Sequence, residues 1–249
     1  MDKQAIREEV WDDLEEAGVA RFPVPPHGRI PNVAGADDAA ARLADLSAWQ
    51  AAEAVKANPD APQLPVRRRA LRAGVTVFMA VPRLSDQQPF LRLDPAEIED
   101  REAAPTVSHV EEYGTAVGPD ALPRIDLIVA GSVAVTPSGD RVGKGEGYSD
   151  LEFAVLSEAG IVDRDTTIVT TVHERQVIDG PIETASHDVP MDLIVTPERA
   201  IETDRRDDRP DGIDWTALED ATIDEIPILQ RLAPDRSEDG NGDQTERGE

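Results

Sequence analysis

The stretch RIDLIVAGSVAVTPSGDRVGKGEGYSDLEFAVLSEAG, Arg124–Gly160, carries three signals in a row: a strand, a glycine turn and a helix. From Leu127 to Val135 the residues are apolar or small without a break, the pattern of a strand covered on both faces. From about Tyr148 the pattern becomes helical and closes at Gly160. Between the two, Gly143, Gly145 and Gly147 alternate with Lys144 and Glu146. Glycine lets a backbone approach a ligand, and a helix N-terminus offers free N–H groups and positive potential to phosphate. The pattern is not the dinucleotide fingerprint, because Tyr148 stands where G-x-G-x-x-G requires its last glycine. No GK[ST] marks a Walker loop either. On these residues alone a phosphate cradle and a plain strand-to-helix turn are both open. Lys144 weighs toward the cradle: the chain has three lysines, Lys3, Lys56 and Lys144, and its other 22 basic residues are arginine.

Outward from this stretch the same alternation continues. Ile6, Val10, Leu14 and Ala17 fall at helical spacing, which predicts an amphipathic helix from about Lys3 that ends near Gly18. FPVPPHGRIPN, residues 22–32, holds four prolines and reads as an ordered, extended crossing segment. ADDAAARLADLSAW predicts a second helix, EAVKAN a short strand, PQLPVRRRALRAG a helix, and VTVFMAVP a buried strand. A loop-rich stretch follows, then DPAEIEDREA as a helix. Beyond the glycine turn, TTIVTTVH and MDLIVTPERAI read as strands and WTALEDATIDEIPILQRL as a closing helix. Short apolar strands alternating with helices predict an α/β fold: a three-layer, Rossmann-like, mainly parallel sheet with helices on both faces. We expect one domain over residues 1–234 and a disordered acidic tail over 235–249.

Among 249 residues, 51 are acidic and 25 basic, a formal net charge of −26. Such charge keeps a protein hydrated where salt screens its self-repulsion, so the acid-rich, lysine-poor balance fits a halophile's cytoplasm. It weighs against anionic membranes and against nucleic acid, both of which attract basic patches. The absence of cysteine excludes disulfides, zinc–thiolate and iron–sulfur sites and thiol nucleophiles. The polar start lacks a signal peptide's apolar core, and no apolar run is long enough to span a bilayer, so a cytoplasmic location is expected; the sequence does not fix the oligomeric state, and a monomer is the favoured expectation.

Several candidates have ordinary alternatives. Asp150, in the first turn of the predicted helix, suits either Mg²⁺ on a nucleotide or the helix dipole. Asp188 and Asp192 are further acids beside a strand. The four histidines lack metal-binding spacing, and no G-x-S-x-G elbow is present. Arg67, Arg68, Arg69 and Arg72 share one helix and could meet a polyanion, although a solvated face is the commoner outcome.

GDRVGKGEGYSD resembles the signature of the 5-formyltetrahydrofolate cyclo-ligase (5,10-methenyltetrahydrofolate synthetase) family, roughly Arg-Leu-Gly-x-Gly-x-Gly-Tyr-Tyr-Asp after a glycine turn. KQAIR resembles the family's N-terminal Lys-x-x-Leu-Arg helix, and RQVIDGPIETASHDVPMDLIVTPERAI its C-terminal block. From residue 3 to about 232 the chain looks most like the methenyltetrahydrofolate synthetase domain-containing subgroup. In animal members of that subgroup an RNA-recognition motif follows; no aromatic RNP-type segment follows here. The resemblance implies ATP, Mg²⁺ and a reduced folate or pterin substrate, with γ-phosphoryl transfer to the formyl oxygen followed by ring closure. By it, Lys3 and Arg7 meet ATP phosphates, while Arg141, Gly143, Lys144, Gly145, Gly147 and Tyr148 wrap the triphosphate. Lys144 and Arg141 serve the transfer, and Asp150 and Asp188 hold Mg²⁺. Three departures stand out: Ser149 replaces the second Tyr, GSVAVT replaces Pro-Gly-Val-Ala-Phe-Asp, and the folate-gripping Glu has only Asp60, in a different frame, beside a strand carrying Lys56. The nucleotide side is therefore nearer the pattern than the folate side. A catalytically divergent nucleotide-binding or RNA-associated regulatory module of the same family is the alternative.

Overall fold

The computed structural model describes residues 2–203 and 205–234; the tail expected over 235–249 lies outside them. Its strands are β1 (Ala54–Ala57), β2 (Thr76–Ala80), β3 (Phe90–Leu93), β4 (Thr115–Val117), β5 (Leu127–Ala130), β6 (Ala134–Val135), β7 (Arg141–Val142), β8 (Thr167–Thr171), β9 (Leu193–Val195) and β10 (Ala200–Glu202). Eight form one sheet in the order β10-β9-β8-β5-β1-β2-β3-β4, and β6 pairs with β7 in a separate ribbon. The central run β9-β8-β5-β1-β2 is parallel, and β10, β3 and β4 add antiparallel edges. In register, Val55 faces Val77 on one side and Leu127 on the other.

Helices α1 (Lys3–Glu16), α2 (Ala36–Ala44), α3 (Ser47–Gln50), α4 (Leu64–Arg72), α5 (Val110–Tyr113), α6 (Tyr148–Glu158), α7 (Asp220–Glu225) and α8 (Pro227–Leu232) complete the fold. Strand alternation sends Val55, Val77, Leu127 and Val169 toward α2 and α4, where Leu43, Val66 and Leu71 meet them. Ala54, Phe78, Ile128 and Ile168 point the other way, into a core closed by α6, α7 and α8. Each of the Val, Leu, Ile and Phe side chains among these, buried, contributes about 1.5–3 kcal/mol relative to exposure. The three layers expected from the sequence are therefore present. No helix of the described residues is long and apolar enough to cross a membrane.

α1 begins where expected because Asp2 caps it, its carboxylate accepting from the N–H groups of Gln4 and Ala5, both at 3.1 Å. Its buried face, Ile6, Val10, Trp11 and Leu14, lies on the β6–β7 ribbon through Val133, Ala134 and Val142. The Gln176 side-chain amide donates to the carbonyls of Ser132 and Val133 at 2.9 and 3.1 Å, holding the chain between β5 and that ribbon. The N-terminal helix is thereby brought beside the glycine turn. The segment 22–32 contains no helix or strand, and its ends are tied by Arg21 N–H to the Asn32 carbonyl at 2.8 Å.

Five sequence expectations are corrected. The strand read across Arg124–Thr136 is two, interrupted at Gly131–Ser132, where the chain leaves the sheet for the ribbon. DPAEIEDREA is a run of turns: Asp94 accepts from Ala96 N–H and Asp100 from the N–H groups of Glu102 and Ala103, bonds that compete with helix. The second helix breaks between Ala44 and Ser47, and Pro227 divides the closing one. MDLIVTPERAI folds back on itself as the β9–β10 hairpin. In the loop-rich stretch the sequence reading missed β3, and it missed β4 as well.

Candidate active site

The sheet reverses its winding between β1 and β5: β1 continues through α4 to β2 on one face, and β5 through α6 to β8 on the other. Ligand crevices in such sheets form outside the carboxyl ends of the strands at this point. A cleft of about 270 Å³ is found there, bounded by Asn58–Asp60 after β1, Ala80–Arg83 after β2, Gly131 after β5, and the glycine turn with the start of α6.

The turn leaves β7 at Val142 and enters α6 at Tyr148. Gly145 (φ +108°) and Gly147 (φ +74°) take backbone conformations that L side chains rarely adopt, and no side chain caps α6. Arg7 of α1 donates from Nε to the Gly143 carbonyl at 2.7 Å, and a Cβ on Gly145 would come within 3.3 Å of its guanidinium carbon. Burial holds the Arg7 guanidinium below its ordinary pKa. Lys144 pairs with Glu146 at 2.8 Å, with both side chains more than a third exposed. Exposed pairs of this kind are worth about 0–1 kcal/mol, so Lys144 is available to exchange partners.

Of the basic residues expected on phosphate, Arg7, Arg141 and Lys144 touch or border the turn, while Lys3 meets the loop bearing Asp188; Arg141 and Lys3 are paired with the acids expected on Mg²⁺. Arg141 Nη2 donates to both Asp150 oxygens at 2.8 and 2.7 Å, and its Nη1 donates to the Gly131 carbonyl at 2.9 Å. Asp150 also accepts from Val189 N–H at 3.1 Å, which ties α6 to the loop bearing Asp188. Lys3 meets Asp188 at 2.5 Å, and Asp188 accepts from Ala185 N–H at 2.6 Å. Among the described residues no group of three or more His, Asp or Glu could hold a metal by itself. Asp192 stands apart from this cluster. It is buried against Arg209, accepts from Ile168 N–H at 2.7 Å, and has its carboxyl pushed up by burial.

The opposite wall was less legible. Lys56 of β1 is buried and paired with Glu152 of α6, and it donates to Asn58 Oδ1 at 2.6 Å. Asn58 in turn reaches Ser149 Oγ at 3.2 Å, so β1 and the start of α6 share one polar network. Asp60 lies in the cleft with its carboxyl pushed up: burial raises it, while Lys144 and Arg67 oppose. Arg67, read from the sequence as part of a solvated helix face, is instead 1% exposed. Arg68 and Arg72 do lie outward, and both pair with Glu102, while Arg69 reaches the Asp37 carbonyl at 3.4 Å. Nothing in the spacing marked Glu152 or Arg67; the one available signal was a lysine inside an apolar strand. A second groove of about 640 Å³ adjoins the cleft across Tyr148 and Asp150, between α6 and residues 210–226.

A sequence profile of the 5-formyltetrahydrofolate cyclo-ligase family matches residues 1–197. The chain belongs to this family. The methenyltetrahydrofolate synthase domain-containing protein of Mus musculus is 39% identical over 251 residues, covering 99% of this chain and 67% of the relative. That of Bos taurus is 41% identical over 234 residues, covering 92% and 61%. The chain thus spans about two thirds of the length of the curated relatives it matches. The Aquifex aeolicus 5,10-methenyltetrahydrofolate synthetase superposes with a TM-score of 0.52 at 17% identity, covering 80% of this chain and 92% of that one, a likeness of fold. In this family member the N-terminal helix meets the glycine turn that borders the cleft at the winding reversal.

Proposed function

We propose that the chain is an ATP- and Mg²⁺-dependent 5-formyltetrahydrofolate cyclo-ligase, forming 5,10-methenyltetrahydrofolate, ADP and phosphate. The observation that carries this reading is the contact of Arg7 with Gly143, which brings two segments 136 residues apart onto one turn. The residues suit MgATP. The left-handed glycines and uncapped α6 make a cradle for phosphate oxygens, and Mg²⁺ on a nucleotide takes only one or two carboxylates. Asp150 and Asp188 would hold the ion, which supplies charge neutralisation at the β- and γ-phosphates. Lys3, Arg7 and Lys144 would meet the phosphates as Lys3 leaves Asp188 and Lys144 leaves Glu146. Arg141 keeps Asp150 aimed at the turn.

Asp60, on the far side of the cleft, would accept hydrogen bonds from the pterin of the reduced folate, with Asn58 and Ser149 beside it. Phosphorylation of the formyl oxygen makes it a leaving group. N10 then attacks the activated carbon, loses its proton, and phosphate departs. The protein's part is to hold the two substrates in line and to neutralise charge.

A catalytically silent nucleotide-binding module is favoured by one observation, the mutual neutralisation of Arg141 and Asp150. Purified protein in high salt with MgATP and 5-formyltetrahydrofolate separates the two: methenyltetrahydrofolate absorbance supports the enzyme. ATP binding without product leaves the module. A Lys144→Ala variant that binds ATP as the wild type does would refute the assignment of the turn.

A further inference from the structure

Arg67 has an unusual set of partners for a buried arginine. Among the described residues its guanidinium makes no ion pair. Instead Nε donates to the Pro105 carbonyl at 2.9 Å, Nη1 to those of Asn58 and Asp60 at 2.5 and 3.0 Å, and Nη2 to that of Pro59 at 3.1 Å. Three consecutive carbonyls of the loop after β1 are thus held by one side chain, in a place where unpaired backbone groups would be costly. Burial pushes the guanidinium down to about 9.

The loop it holds carries Asp60. That residue occupies the N-cap of a short 3₁₀ turn, where aspartate ordinarily caps, yet its carboxylate makes no capping bond. The carboxylate turns into the cleft, its Oδ2 lying 3.0 Å from where a Cβ on Gly131 would stand. Arg67 therefore supplies positive charge behind Asp60 without occupying its oxygens. The other charged groups acting on Asp60 are Lys144 from the glycine turn and Glu152 from α6.

We propose that Arg67 is the positioning residue of the substrate-binding half of the cleft, fixing the Asn58–Asp60 backbone so that the Asp60 carboxyl faces the ligand. This rests on the cyclo-ligase reading for the identity of the ligand, but not for the geometry. A lysine could keep the charge but not the fork to three carbonyls.

The test compares Arg67→Lys and Arg67→Met. MgATP binding, 5-formyltetrahydrofolate binding and the ¹³C carboxyl titration of Asp60 in the free protein are measured for each. MgATP affinity is expected to stay within about twofold, and folate affinity to fall about tenfold or more in both. Loss of the charge in Arg67→Met moves the Asp60 titration upward by about half a unit or more. In an Asp60→Asn background Arg67→Lys should cost no further folate affinity, which a general loss of packing would. If wild type binds no reduced folate, the activity assignment fails, and the Asp60 titration still decides the role of Arg67. Arg67→Met with an unshifted Asp60 titration, or Arg67→Lys with wild-type affinity in a protein that binds folate, overturns the proposal.

Discussion

Replacing Lys56 with methionine should be among the most damaging single changes in this protein, although it adds apolar surface to a strand. Lys56 sits between Phe78 and Ile128 in the middle of the sheet, with strands on both sides. Its side chain and that of Glu152 are 2% and 8% exposed, so neither charge has water to fall back on. Removing one partner of a buried pair typically costs about 3–5 kcal/mol, because the other charge is left uncompensated. Asn58 Oδ1 loses its donor at the same time. At about 2–4 °C per kcal/mol for a chain of this size, the midpoint should fall by roughly 6–20 °C. The double variant Lys56→Met/Glu152→Met removes both charges and should return to within about 1–2 kcal/mol of wild type, since buried pairs replaced by packed apolar groups are often neutral. Urea unfolding at fixed molar salt measures both without altering ionic strength. A single variant costing under about 1 kcal/mol, or a double variant whose cost equals the sum of the singles, would refute the reasoning.

Asp60→Asn should stabilise the fold at neutral pH. Its carboxyl lies above its unfolded value, so the folded state holds the proton more tightly; stability is lost as pH rises from the unfolded value through the folded one. The variant removes that loss, and its advantage should vanish near the ordinary aspartate value of about 4; urea curves from acid to pH 8 in which wild type is the more stable at high pH would contradict this. Gly145→Ala should lower ATP affinity about tenfold, or about 1.4 kcal/mol, because φ is +108° and the new Cβ crowds Arg7. Gly147→Ala, with nothing within 4 Å of its Cβ, carries the backbone cost alone; equal affinities by calorimetry would remove Arg7 from the site. Raising salt from about 0.1 M to about 1 M shortens the Debye length from about 10 Å to about 3 Å, so a chain of net charge −26 should melt higher. An unchanged midpoint would count against a halophile's surface.

The glycine-turn side of the cleft could be read from the chain because its geometry is local. Gly143, Gly145 and Gly147 must stand within a few residues of Lys144 and α6 to make a turn at all, so the spacing itself is the signal. Lys3 and Arg7 needed the family resemblance, since nothing in an amphipathic helix says which turn its basic residues will meet. The opposite wall was illegible for a different reason. Glu152 has the appearance of any acid on an acidic protein's helix, and Arg67 of any member of an arginine run. Their roles depend on β1 and α6 being adjacent, and on the carbonyls of Asn58–Asp60 turning inward.

Periodicity and punctuation determined, from the sequence alone, the α/β class, the starts of α1 and α6, the buried central strands and the glycine turn, because these follow from interactions between near neighbours. Tertiary structure alone decided that Arg124–Thr136 breaks at Gly131, that Arg141 meets Asp150 and Lys3 meets Asp188, and that Lys56 is buried against Glu152. Those outcomes depend on which charges lose their water together. That is a property of the assembled layers, and no single stretch of the chain encodes it.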